Sequence, residues 1–161
     1  MTSVQWSVKP ADSRKTTDHS ALILMSDTFR LEIVTPEKKV VDTAATEAQI
    51  PGKNGYLGVL PGHAPLITEL AVGEITFRAG AEEQRLAVAW GFAEVLPGKV
   101  TILAETAERP SEIDVERARK AKARAEQRLA SGDTSVDVER SLNALAKAET
   151  RLEVAEGKGH S

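Results

Sequence analysis

Six cations crowd one short stretch of an otherwise acidic chain: Arg117, Arg119, Lys120, Lys122, Arg124 and Arg128, all within "ERARKAKARAEQR". At helical spacing Arg117 and Arg124 share one side, and Asp114 stands one turn before Arg117. Folding the chain at Gly132 carries Arg151 roughly level with Arg117, with Lys147 one turn from Arg151. Like charges gathered in this way repel unless an anion or an acidic partner fills the space between them. The cluster therefore suits a phosphate group or an acidic protein surface. A solvated helix face without a ligand is the other reading these charges allow.

Most other site chemistries lack their residues. A phosphate-cradling P-loop needs spaced glycines and then Gly-Lys-Ser/Thr, because a hydroxyl must reach the magnesium ion. Here Gly52-Lys53 is followed by Asn54 and Gly98-Lys99 by Val100, so both pairs read as hairpin turns. The three histidines, His19, His63 and His160, are scattered, two of them in terminal segments, and predict no metal site. His63, in "LPGHAP", reads as a polar side chain capping a turn rather than as a ligand or an acid–base group. No Ser-His-Asp signature is present. Without cysteine there is no thiolate nucleophile, disulfide framework or Cys-ligated zinc. A formal net charge of −3 argues against holding nucleic acid by neutralising phosphates. No apolar run approaches the roughly 20 residues that span a bilayer. These absences argue against an active site and against a required cofactor.

Three zones must position the charged groups. Residues 1–26 are polar and aperiodic ("VKPADSRKTTDHS") and predict a flexible N-terminal extension, with Met25 as an alternative start. Across 27–109 the apolar period is two: "FRLEIV" sets Phe29, Leu31 and Ile33 on one face, and "EITFRA" does the same with Ile75 and Phe77. "KVVD", "TEAQIP", "LITEL", "QRLAVAWG", "FAEVL" and "KVTILAE" continue the series between Gly and Pro punctuation. Many short strands at close spacing predict an antiparallel β-sandwich or flattened barrel. Its core must be mainly aliphatic, because only 4% of the residues are aromatic. After Pro110 the period becomes helical. Residues 110–156 predict an antiparallel two-helix hairpin broken at Gly132, with Ser111/Asp114 and Thr134/Asp137 as start signals; 157–161 form a tail. The second helix carries Val138, Leu142, Leu145 and Leu152 as a stripe, whereas the first offers Ala118, Ala121, Ala125 and Leu129. An alanine-lined seam buries little apolar area, so the hairpin should open readily.

"PGKNGYLGVLPGHAPLITEL", "WGFAEVLPGKVTILAETAE" and "IDVERA" at the start of the helical tail occur in this order between about Phe29 and Glu156. Together they resemble the epsilon subunit of F-type ATP synthases, called delta in mitochondria. The resemblance implies an N-terminal antiparallel β-sandwich of about ten strands and a C-terminal two-helix antiparallel hairpin. It places such a chain in the central stalk, between the catalytic head and the proton-driven rotor ring. The implied protein catalyses nothing by itself: it links the gamma subunit and the alpha/beta head to the c subunits of the ring, and its hairpin inhibits ATP hydrolysis. Its implied location is the cytoplasmic face of the bacterial inner membrane, peripheral, with the membrane reached only through the complex.

By the same resemblance the glycine-rich loop lies near the polar loops of the rotor ring, which makes Asn54, Gly55, Tyr56 and His63 the contact candidates. Gly55 and Gly58 are then expected to take backbone angles closed to other residues. "IDVERA" resembles the family's I/L-D-x-x-R-A nucleotide motif and puts Asp114, Arg117 and Ala118 on its key positions. Glu108, Arg124, Lys147 and Arg151 fall where nucleotide-binding members make contacts, with lysine at 147 where those members carry arginine. Regulatory ATP is the ligand this implies. Arg117, Arg119, Lys120, Lys122, Arg124 and Arg128 become the implied inhibitory contact with the catalytic head. The alternative is a stand-alone ligand-binding sandwich that dimerises through its helices.

Overall fold

Alternation of apolar and polar residues produces eight strands among the described residues, 27–158 of the computed structural model. Residues 1–26 and 159–161, and with them the expected extension and most of the tail, lie outside the described residues. The strands are β1 (Phe29–Val34), β2 (Lys39–Ala45), β3 (Glu47–Gly52), β4 (Gly55–Val59), β5 (Leu66–Glu69), β6 (Gly73–Ala79), β7 (Glu82–Leu96) and β8 (Lys99–Glu108). Their order is β2-β1-β8-β7-β6-β3-β4, with β5 beside β7. Eight strands stand where the resemblance implies about ten; "QRLAVAWG" and "FAEVL" are the two halves of the single 15-residue strand β7, and β4 lies within the glycine-rich segment. One half of β7 pairs with β6 and the other with β5, while β8 runs alongside both. β7 thus belongs to both faces of the sandwich.

The strand turns that corner at Trp90 and Gly91, which both have positive φ, 50° and 115°. A Cβ on Gly91 would lie 1.8 Å from the Leu103 carbonyl oxygen, so only glycine allows β7 and β8 to approach here. One pair departs from the antiparallel expectation: β1 runs parallel to β8, Arg30 opposite Lys99 through Val34 opposite Leu103. A parallel pair cannot be joined by a tight hairpin, so no local turn motif announces it. Phe29, Leu31, Ile33, Ile50, Ile75, Phe77, Leu86, Val88, Val95, Val100 and Ile102 point inward and form the aliphatic core.

Two helices follow, α1 (Val115–Ala130) and α2 (Val138–Glu156). Their caps are Asp114 and Asp137, whose carboxylates accept the backbone N–H of Arg117 at 3.0 Å and of Arg140 at 2.9 Å. The expected start residues Ser111 and Thr134 lie outside the helices. Ser111 sits in a 3₁₀ turn over Pro110–Glu112, in which Glu112 reaches back to accept the Arg109 N–H. A cap must directly precede the first helical residue, and the aspartates hold that position. The break at Gly132 is present, with φ 64°.

The α1–α2 seam is built from Ala118 and Ala125 against Ser141 and Ala148, so small residues bring the backbones close. The expected leucine stripe is only partly used: Val138 and Leu142 are more than half exposed. The reason is rotational. α2 must turn Ser141 and Ala148 toward α1, and it also packs Val154 against Ala87 of the sandwich and Ile113 of the segment that leads into α1, which leaves the Val138–Leu142 flank facing water.

Candidate functional site

The face of α2 that meets the sandwich carries Lys147, Arg151 and Val154, spaced so that they stack on one side of the helix. Arg151 donates from Nε to the Glu108 carboxylate at the end of β8. Lys147 holds its ammonium 3.7 Å from the centroid of the Trp90 ring, a cation–π contact. Burial, and then the neighbouring Arg151 charge, lower the pKa of Lys147, and the Glu105 carboxylate opposes the shift. The gathering of like charges expected around Arg151 is therefore relieved by a carboxylate and an aromatic ring of the same chain. Trp90 was not singled out from sequence. The available clue was a tryptophan immediately before glycine in the middle of a strand.

Of the seven residues linked to nucleotide binding, the structure brings Glu108, Lys147 and Arg151 together on the sandwich side of α2. Asp114 is engaged as the α1 cap, and Ala118 is packed in the helix seam. Arg117 and Arg124 are exposed on α1. The wider basic strip is partly neutralised within the hairpin. Arg119 pairs with Glu116 at 2.8 Å, and Lys122 with Glu149 at 3.2 Å, which raises the Lys122 pKa. Lys120 and Arg128 are exposed beside them.

The glycine-rich loop is two structures. Lys53 and Asn54 form the tight turn between β3 and β4, continued by Gly55 at φ 125°, and Lys53 is tied to Glu69. The Tyr56 hydroxyl oxygen accepts the Glu74 N–H at 3.2 Å while the residue stays well exposed; burial, then the Glu74 and Glu153 carboxylates, raise its pKa. His63 lies beyond the opposite end of β4. The neighbouring Gly62 N–H reaches the Pro97 carbonyl at 2.8 Å, and His63 Nδ1 lies 2.7 Å from the Ala64 carbonyl oxygen. Asn54, Gly55 and Tyr56 are thus brought together, and His63 is held apart from them. Gly58, unlike Gly55, does not have positive φ, so the expectation of a special backbone angle fails there because it sits in regular extended strand.

Two further features were not named from sequence. On the outer face, Phe92 of β7 pairs with Leu103 of β8, and Leu103 with Val34 of β1. Phe92 and Leu103 are each 54% exposed, and Ile67, diagonal to Phe92 on β5, is 74% exposed. Apolar residues on the water side of alternating strands were the clue. In a cleft lined by β3, β4, β6 and β7, Glu74 is only 2% exposed and pairs with Arg85 at 3.3 Å. Replacing Arg85 with methionine removes the guanidinium from a buried carboxylate and should destabilise the fold by about 3–5 kcal/mol. The double change Glu74→Leu/Arg85→Met should recover most of this in a denaturant titration.

Among the described residues no group of three or more metal-binding side chains is placed to hold an ion, and no helix is long and apolar enough to cross a membrane. The family profile "ATP synthase, Delta/Epsilon chain, beta-sandwich domain" matches residues 28–110, and "ATP synthase, Delta/Epsilon chain, long alpha-helix domain" matches 111–156. An ATP synthase epsilon chain of Koribacter versatilis is 70% identical over 105 residues, covering 65% of this chain and 74% of the relative. The ATP synthase epsilon chain of Moorella thermoacetica is 55% identical over 102 residues, covering 63% and 76%. Among solved structures, a chain of the Euglena gracilis mitochondrial ATP synthase superposes with a TM-score of 0.71 at 27% identity, covering 81% of this chain and 82% of that one. With both halves of the chain matched in order and a sandwich followed by a helical hairpin, this protein belongs to the epsilon (delta/epsilon) subunit family of F-type ATP synthases.

Proposed function

We propose that the chain is a non-catalytic rotor subunit of the central stalk, docked on a gamma-type subunit through the sandwich and on the rotor ring through the β3–β4 turn. The observation that carries the reading is the exposed pair Phe92 and Leu103 on the outer face, with exposed Ile67 and half-buried Val34 beside it. A run of exposed apolar side chains across neighbouring strands marks a protein-binding surface, and a stalk partner is the occupant that family membership suggests. Asn54, Gly55 and Tyr56, at the stiff hairpin turn, are the residues offered to the polar loops of the ring; His63 belongs to a second contact at the other end of β4. Membrane association is then peripheral and indirect, on the cytoplasmic side of a bacterial inner membrane.

The hairpin is the regulatory part. Opened from the sandwich, α1 presents Arg117, Lys120, Arg124 and Arg128 to an acidic surface of the alpha/beta head and opposes hydrolysis. Arg119 and Lys122 join them once their intrahairpin partners are released. ATP held by Asp114, Arg117, Arg124, Arg151 and their neighbours would favour the closed form, by about 2.7 kcal/mol at a hundredfold excess over the dissociation constant.

Affinity capture of the full chain followed by mass spectrometry tests the assignment: gamma-type and alpha/beta subunits should come down with it. Recovery of the chain only as a homodimer would favour the stand-alone ligand-binding sandwich instead. A chain truncated after Arg109 should still capture the stalk partner, since the outer row and the core lie wholly before that point. Within the assembled complex the same truncation should raise ATP hydrolysis severalfold. Neutralising the α1 cations should do so in part, and in a salt-sensitive way. Unchanged hydrolysis after both would leave the hairpin as a passive support.

A further inference from the structure

Closing the hairpin places cations of α2 against the sandwich, and the two nearest the junction are already engaged within the chain. Arg151 sits on Glu108, and Lys147 sits over Trp90. Trp90 is the one non-glycine residue with positive φ among the described residues. A bulky side chain is disfavoured in this left-handed region, where glycine would sit without strain. The following residue, Gly91, already supplies the close approach at the corner of β7. The strained position is therefore justified by what the indole meets. The hollow beside it is lined by Asp137, Glu139, Arg140, Asn143, Ala144 and Lys147, all from the cap and first half of α2.

We infer that Trp90 and Lys147 form a latch that, with Glu108–Arg151, holds the hairpin closed on the sandwich without a bound nucleotide. It goes beyond the brake described above by naming what restrains the brake. The chemistry is specific. A cation over an indole face is favoured most where water is partly excluded, and Lys147 is only partly exposed, with its ammonium over the ring. The ring quadrupole attracts a guanidinium as well as an ammonium, so Lys147→Arg keeps a cation over the indole, whereas methionine keeps the length of the chain and removes the charge. Substituting Trp90 separates latch from fold, because Trp90→Gly removes the ring and at the same time relieves the backbone.

The test uses the full-length chain, which has no cysteine of its own. Cysteines introduced at exposed Ser135 in the turn between the helices and at exposed Glu94 on β7 carry a pair of distance labels, read without nucleotide and again with added ATP. The unsubstituted chain should show a predominantly closed distance population without ATP. Lys147→Met should lower the closed-to-open ratio about fivefold, Lys147→Arg should keep it near the parental value, and Trp90→Gly should lower it while the thermal midpoint of the sandwich stays level or rises. A chain that is open until ATP is added, or a Lys147→Met distribution that matches the parent, would overturn the latch. Because distance and not hydrolysis is read, a latch that works on a hairpin without inhibitory effect is distinguished from a brake that has no latch.

Discussion

A chain carrying Gly91→Val should yield no folded sandwich. Two independent obstacles meet at this residue. Its φ of 115° lies where side chains with a Cβ are rarely found, and the added Cβ would stand 1.8 Å from the Leu103 carbonyl oxygen and 3.0 Å from the Ala104 Cα. Both are backbone atoms of the central β8, so the clash cannot be relieved by a side-chain rotation. Separating the strands would break the ladder that joins the two faces, which puts the loss at about 4 kcal/mol or more, in the exceptional range for one substitution. Gly91→Ala should fail in the same way, for the same atom causes the clash. Gly58→Val is the control, since nothing lies within 4 Å of the added Cβ and the backbone is extended. A soluble Gly91→Ala chain with an unshifted unfolding midpoint would remove the close approach as the reason for the corner.

The second large effect concerns assembly. Phe92→Asp combined with Leu103→Asp places two carboxylates in the middle of the outer row, while the buried alternates Ala93, Ile102 and Ala104 keep the core intact. Aromatic and large apolar side chains at the centre of an interface commonly carry about 2 kcal/mol or more each. Loss of both, with charge put in their place, should weaken capture of the stalk partner by about a hundredfold or more. The thermal midpoint should move little, because each side chain is already more than half in water. Capture at the parental level by the folded double variant would show that the partner docks elsewhere on the sandwich.

Spacing made the Asp114–Arg117 turn legible, and Asp114 caps α1 by accepting the Arg117 N–H. The helix starts placed at Ser111 and Thr134 are each three residues early. A polar residue near a helix start is easy to see, whereas which of two such residues makes the cap depends on where the chain first adopts helical angles. The loop reading joined His63 to Asn54, Gly55 and Tyr56 because they are close in sequence. Strand β4 separates them, since an extended strand carries the chain away at about 3.3 Å per residue.

What the sequence alone determined is everything carried by local period and punctuation. Alternation over 27–109 specifies strands, helical spacing after Pro110 specifies the hairpin, Gly132 breaks it, and the motif order identifies the family. These follow because burial of one face selects every second residue in a strand and every third or fourth in a helix. Tertiary structure alone decided which charges are satisfied and which surfaces are left open. Arg151 meets Glu108 across 43 positions, Lys147 finds Trp90, β1 lies parallel to β8, and Phe92 and Leu103 form one row. None of these pairs shares a local pattern. The corner of β7 at Gly91 sets Trp90 toward α2 and Phe92 toward solvent, and every such contact between distant segments depends on the path of the backbone between them.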